Sequence, residues 1–318
     1  MNRKAIKIFF KILVGAGLIG WFLYRSDVEE IKSSIAMLAP ALFLSAVFLN
    51  LFFMFLKSVR WKLFLPDERL VELIKLSFIS QFYAVISAGQ VVGEAAKIYI
   101  FGKGKRDAEQ IAMSVLLDKI IGIIGLSIVA LIGLALSPSV LPESLSLGVA
   151  AASLLCAIFI FSVRLALIRE SLLKLLKVRL NLSAGFNKIL NSAVRLIEAW
   201  HLYSGKLKII FLSVFLSVFF QLAQVGVYFV LSRGLGFSIS FPDWCWLSAV
   251  VGGLTVLPLT IGGLGLREAS LVGLLGFFKI APEPALALSF SFFTVQLIIA
   301  AVGGLLEIKR TGICQINK

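Results

Sequence analysis

The chain has 318 residues, of which 59% are hydrophobic and 15% charged, with a formal net charge of +14 and a mean hydropathy of +1.00. A soluble domain averages about 45–50% apolar and about 25% charged residues, so a water-soluble enzyme or binding domain is excluded and a polytopic α-helical membrane protein is predicted. A transmembrane β-barrel would show ~10-residue alternating segments instead, and the basic excess belongs to loops at a membrane surface, with no nucleic acid as partner.

At the start of the chain, Arg3, Lys4, Lys7 and Lys11 precede an apolar run ending near Tyr24. No small-residue cleavage site follows and more spans come after, so an uncleaved first span is expected. Runs such as 42–56, 120–136 and 209–231 are nearly uncharged and approach the ~20 residues a bilayer crossing needs. Basic residues cluster at 3–11, 57–69, 97–106, 164–208 and 309–318, whereas 25–37 is balanced by acids, 137–144 holds no Lys or Arg, and 233–243 has only Arg233. Positive loops stay cytoplasmic, which places the protein in the cell membrane with both termini and the long middle loop inside.

The apolar stretch 70–96 is flanked by basic clusters on both sides. A simple crossing would export Lys97, Lys103, Lys105 and Arg106, so a hairpin entering and leaving on the cytoplasmic face is expected, turning around Ser80–Gly89. In the second half, 244–280 lies between two outside segments and reads as a hairpin from the opposite face, broken from Pro258 through Gly265. Irregular backbone at such depth is tolerated only when buried in protein or lining a wet cavity. The expected fold is all-α: about six full spans plus two oppositely inserted broken-helix hairpins. Residues 38–136 and 207–308 form an inverted-topology repeat within one transmembrane domain. Eight ordinary spans are the alternative. Trp21, Tyr24, Trp61, Trp244 and Trp246 read as interfacial aromatics. Within the loop 164–206, Phe186, Ile189, Leu190, Ala193, Val194 and Ile197 recur at helical spacing, predicting a basic amphipathic helix that lies on the leaflet or packs under the bundle.

Two short stretches echo each other: Ser87-Ala-Gly89-Gln-Val-Val-Gly93-Glu94-Ala-Ala-Lys97 and Thr260-Ile-Gly-Gly263-Leu-Gly265-Leu-Arg267-Glu268-Ala-Ser270. Glycine-interrupted segments at matching places in two halves of a membrane protein point to a substrate site. Charges within apolar segments cost at least ~2.5–3.5 kcal/mol each at the bilayer centre. Glu94, Lys97, Asp118, Lys119, Arg267 and Glu268 are therefore the candidate substrate-binding residues. Glu94 and Lys97 are spaced to pair at i,i+3. Arg267 and Glu268 point apart, so cross-repeat partners such as Glu94 with Arg267 or Lys119 with Glu268 are expected. Asp118 and Lys119 read either as a snorkelling pair near the inner end of a span or as cavity residues. Gly89, Gly93, Gly263 and Gly265 either expose backbone N–H groups to an anion at a helix start or serve close helix packing. Asn50, Gln81, Gln90, Gln221, Gln224 and Gln296 add uncharged polarity, lining a path or bonding helices together.

Cys156, Cys245 and Cys314 form no metal or redox spacing, and His201, beside Trp200 and Tyr203, reads as interfacial. With one histidine and no H-E-x-x-H or G-x-S-x-G, no catalytic residues, metal or cofactor are assigned.

Four pieces in order resemble the lysylphosphatidylglycerol synthase transmembrane-region family, the flippase-like membrane proteins. They are Arg60-Trp61, Gly89 to Tyr99, Ser114 to Gly122 with Asp118-Lys119, and Pro258 to Glu268. Lys97 and Lys119 stand where arginine is common in that family, which keeps the charge but gives up bidentate phosphate binding. The resemblance implies a membrane domain that moves or holds a lipid. The chain ends a few residues after its last span, so synthase activity is not expected. A lipid translocator is the leading expectation, with an anionic phospholipid or polyprenyl-phosphate headgroup in a cavity between the hairpins. A non-catalytic partner that presents a lipid-linked substrate to a glycosyltransferase or lipid-modifying enzyme is the alternative. The inner-hairpin topology is testable. Lys103→Cys in a cysteine-free background should resist an impermeant maleimide added to intact cells, and efficient labelling would remove the hairpin.

Overall fold

The computed structural model describes residues 17–18, 20–22, 24–87, 89–103, 108–137, 147–151, 207–256, 260 and 263–316. The expected amphipathic helix of the middle loop, His201 and Pro258 fall outside them. All regular secondary structure among the described residues is helical.

A short helix α1 (Val28–Ala36) opens where Asp27 accepts a hydrogen bond from the Glu29 N–H at 2.9 Å, the usual way an acidic N-cap satisfies a free backbone donor. Its Ile31 packs on Leu286 and Ala287. Two units of four helices follow. The first is α2 (Pro40–Lys62), α3 (Leu70–Ile86), α4 (Gln90–Gly102) and α5 (Ala108–Leu136). The second is α6 (Leu207–Gly234), α7 (Phe241–Val256), α8 (Leu266–Gly276) and α9 (Pro282–Ile316). Proline starts α2 and α9, where its missing N–H costs nothing.

In both units the outer helices are long and apolar enough to cross a membrane, over Pro40–Lys62, Gln110–Leu136, Lys208–Gly234 and Pro282–Thr311. The inner four have 17, 13, 16 and 11 residues. At ~1.5 Å per residue none spans a ~30 Å hydrocarbon core. The first break is tighter than the sequence suggests: α3 runs unbroken to Ile86, and the turn is confined to Ser87–Gly89. The second falls between Val256 and Leu266, within the stretch where it is expected. The α2 helix also runs on to Lys62, past the expected apolar limit at Leu56, and thereby carries Lys57 and Arg60 into the helix bundle.

The helix contacts repeat between units. α3 packs on α9 as α7 packs on α5, and α5 packs on α6 as α9 packs on α2. α4 packs on α5 as α8 packs on α9, and α2–α3, α3–α4 and α2–α5 have counterparts in α6–α7, α7–α8 and α6–α9. The central pair α2–α6 is its own counterpart, and it is antiparallel. Leu42 lies against Gly234, Leu49 against Gly226, Phe53 stacks on Phe220, and Arg60 meets Ser217.

Trp61, Trp244 and Trp246 are each fully buried, so the expectation that they sit at the interface is corrected. Trp61 donates to Ser114 Oγ at 2.9 Å, Trp244 stacks on Tyr228, and Trp246 packs on Phe278. An indole buried at a helix crossing contributes a large packing area. Trp21 and Tyr24 are exposed as expected. Close approach rests on small residues. A Cβ at Gly93 would collide with the Ser80 carbonyl, and one at Gly303 with that of Phe78. Gly93→Ala should therefore force α4 away from α3 and lower stability by about 1–3 kcal/mol, read as a lower Tm of the detergent-solubilised protein.

Candidate functional site

The two broken pairs meet around one cavity of about 190 Å³. Gln81, Gln90 and Glu94 face it from α3 and α4, Gly252, Thr255 and Arg267 from α7 and α8, and the long helices α2, α5, α6 and α9 complete the wall. All six uncharged polar residues singled out in the sequence line it: Asn50, Gln81, Gln90, Gln221, Gln224 and Gln296.

Charge in the first unit is organised around Glu94. Its Oε1 accepts from Lys57 Nζ at 3.0 Å, and its Oε2 lies 3.3 Å from Lys97 Nζ. The Glu94–Lys97 spacing therefore pairs as predicted. Lys97 is wholly buried behind the cavity, with its ammonium 4.0 Å above the centre of the Trp61 ring, which offsets part of its desolvation. Lys57 was not anticipated as a partner. It reads in the sequence as one more basic residue at the end of a span, and only the continuation of α2 beyond Leu56 turns it inward.

Arg60 is the second residue the sequence reading missed. It is 2% exposed and spends its donors inside the protein. Its Nε donates to Asp118 Oδ1 at 2.8 Å, Nη2 to the Asp118 carbonyl at 3.1 Å and Nη1 to Ser217 Oγ at 2.7 Å. Its guanidinium also lies 4.7 Å from the centre of the Phe220 ring. The signal available in the sequence was the Arg60-Trp61 pair, read there as a basic, aromatic interface and as one piece of the family resemblance, without a place at the site. Asp118 is buried and holds Arg60, while its neighbour Lys119 turns into the cavity and meets the Gln90 amide oxygen at 3.2 Å. Of the two readings the sequence left open, the cavity is where both side chains are found: Asp118 and Lys119 both line it.

In the second unit Arg267 and Glu268 pair with each other at 2.9 Å, and the expected cross-repeat partners are not formed. The reason is local. Glu268, at the third position of α8, turns back so that its Oε2 accepts the Gly265 N–H at 2.5 Å, a common way to satisfy a helix start. That places its Oε1 where Arg267 Nη2 and Ser289 Oγ both donate to it, the latter at 2.7 Å. Arg267 also donates from Nε to Ser289 and from Nη1 to Gln296. Arg267 reaches the cavity and Glu268, wholly buried, stands behind it. Gly263 and Gly265 have φ of +76° and +81°, and Gly89 has +91°, a region that favours glycine. Gly89 caps α4, Gly93 packs it, and Gly263 and Gly265 shape the entry to α8; among the described residues none of the four lines the cavity, whereas Gly122 and Gly252 do. The carboxylate on the Gly265 N–H occupies the position where an anion at that helix start was anticipated.

Residues 8–304 match the lysylphosphatidylglycerol synthase TM region family. The chain belongs to this family. No match is found among curated proteins. Membership together with the four apolar spans among the described residues makes it a multi-pass membrane protein. In this member of the family, five buried or half-buried cations at the site face three carboxylates, an excess of two positive charges in an apolar surround. The partners of these groups separate their roles. Arg267→Ala would strand Glu268, and losing one partner of a buried ion pair costs about 3–5 kcal/mol, so folded yield and Tm should drop sharply. Lys119→Ala removes a bond to a neutral amide and a through-space attraction to Glu94, which Lys57 and Lys97 hold directly, and should leave both within the ~0.5 kcal/mol range of tolerated substitutions. Thermal unfolding of the two variants side by side checks this.

Proposed function

We propose that this protein is a lipid translocator whose cavity takes the phosphate of an anionic phospholipid or polyprenyl-phosphate headgroup, without itself acting as an enzyme. The observation that carries the reading is the meeting of two broken helix pairs at one polar cavity with excess positive charge. At about 190 Å³ it is smaller than the ~300–1,000 Å³ typical of drug-sized ligand sites, so it suits a headgroup and leaves the hydrocarbon chains to the bilayer. Polar and charged side chains held inside a membrane domain mark substrate pathways when they face a cavity.

The two units are read as an inverted-topology repeat, with the second hairpin inserted from the face opposite to the first. The antiparallel α2–α6 pair supports this, because a two-fold axis along the membrane normal would set those counterparts parallel. The matching set of contacts around that pair supports it as well. Inverted repeats allow alternating access by rocking one unit against the other around a fixed site. The charge distribution of the loops supports cytoplasmic termini and residence in the cell membrane.

Reconstitution into liposomes with tail-labelled fluorescent lipids tests the function. Accelerated loss of leaflet asymmetry that is abolished in Lys119→Ala is the expected result. Lipid binding without any movement between leaflets would favour a protein that presents a lipid to a membrane enzyme.

A further inference from the structure

The cavity's charges are not interchangeable, and their existing partners define what is left for a ligand. Glu94 is shared by Lys57 and Lys97, Asp118 is held by Arg60, and Glu268 is held by Arg267. Every carboxylate at the site is thus already engaged by a protein cation. An entering ammonium would have to displace one of them and would add to a positive excess where charges are poorly screened. The aromatic walls offer it no better reception. Phe220 already has Arg60 over its ring and Phe53 stacked on it at 4.1 Å, while Phe292 carries Arg267 and Tyr228, so no free aromatic cage faces a quaternary amine.

The groups left open are of two kinds. Lys119 makes its hydrogen bond to the neutral Gln90 and forms no salt bridge with a described carboxylate, and a charge-assisted bond to phosphate is stronger than one to an amide. Asn50, Gln81 and Gln224 line the cavity and bond to no other described residue, and each offers both donors and an acceptor, the complement of a hydroxyl group. We propose that the headgroup selected here is a phosphate ester bearing an uncharged, hydroxyl-rich group, a glycerol or a sugar alcohol, and that amine-bearing headgroups are rejected. This rests on the cavity being the lipid site proposed above.

The test uses the full chain and tail-labelled phosphatidylglycerol, phosphatidylinositol, phosphatidylethanolamine, phosphatidylcholine and lysyl-phosphatidylglycerol. Transport in liposomes is measured for each, together with the Tm shift given by short-chain versions in detergent. Phosphatidylglycerol and phosphatidylinositol should move at least about tenfold faster than the three amine lipids and give the larger Tm shifts. Lys119→Glu should invert the ranking in favour of phosphatidylethanolamine. Equal or faster transport of an amine lipid overturns the headgroup assignment and leaves the translocator reading standing. Tm shifts that keep the polyol ranking with no transport of any lipid overturn translocation and uphold the assignment. No Tm shift and no transport with any of the five overturns both.

Discussion

A backbone that stops partway through an apolar layer must find its hydrogen-bond partners within the protein, and the architecture of this chain follows from that constraint. Among the described helices of the two units, α3, α4, α7 and α8 are too short to cross a bilayer, so ends that lie within it have to be enclosed. Four long helices do the enclosing, and the short ones pack against them through glycines that permit backbone contact. At the start of α8 the solution is explicit: the Glu268 carboxylate takes the Gly265 N–H. That carboxylate then needs a counter-charge, which fixes Arg267, and Arg267 in turn draws in Ser289 and Gln296 from α9. One unsatisfied backbone donor thereby organises a polar network across two helices.

The first unit meets the same constraint with different chemistry. Glu94 is the fifth residue of α4 and Glu268 the third residue of α8, although each follows a glycine by five positions in the chain. The difference arises because α4 begins directly after Gly89, whereas α8 begins after Gly265. Glu94 is therefore too far along its helix to cap it and is free to bind Lys57 and Lys97 instead. The two elements correspond in architecture and differ in role. The second unit's acid stabilises a helix start, and the first unit's acid positions the cations of the cavity.

That division explains why the charged cluster is one-sided. Lys57, Arg60, Glu94, Asp118 and Lys119 all come from the first unit, and the second contributes Arg267 together with carboxamides and aromatic rings. Partnering of this kind keeps the cost of buried charge low, and it leaves Lys119 as the lining cation whose bond is to a neutral group.

Much of this was legible in the sequence. Composition determined the membrane class, hydropathy the long helices, and glycine with proline the second break, because each of these is a local property of the chain. The spacing of Glu94 and Lys97 determined their pairing, since residues three apart on a helix are neighbours whatever surrounds them. The six carboxamides could be named but not placed. The tertiary structure decided the rest. It turned Lys57 and Arg60 inward, buried Trp61, Trp244 and Trp246, and joined Arg267 to the glutamate beside it. Those outcomes depend on where a helix ends and on what lies across a helix crossing, and neither is written in the spacing of residues along one segment.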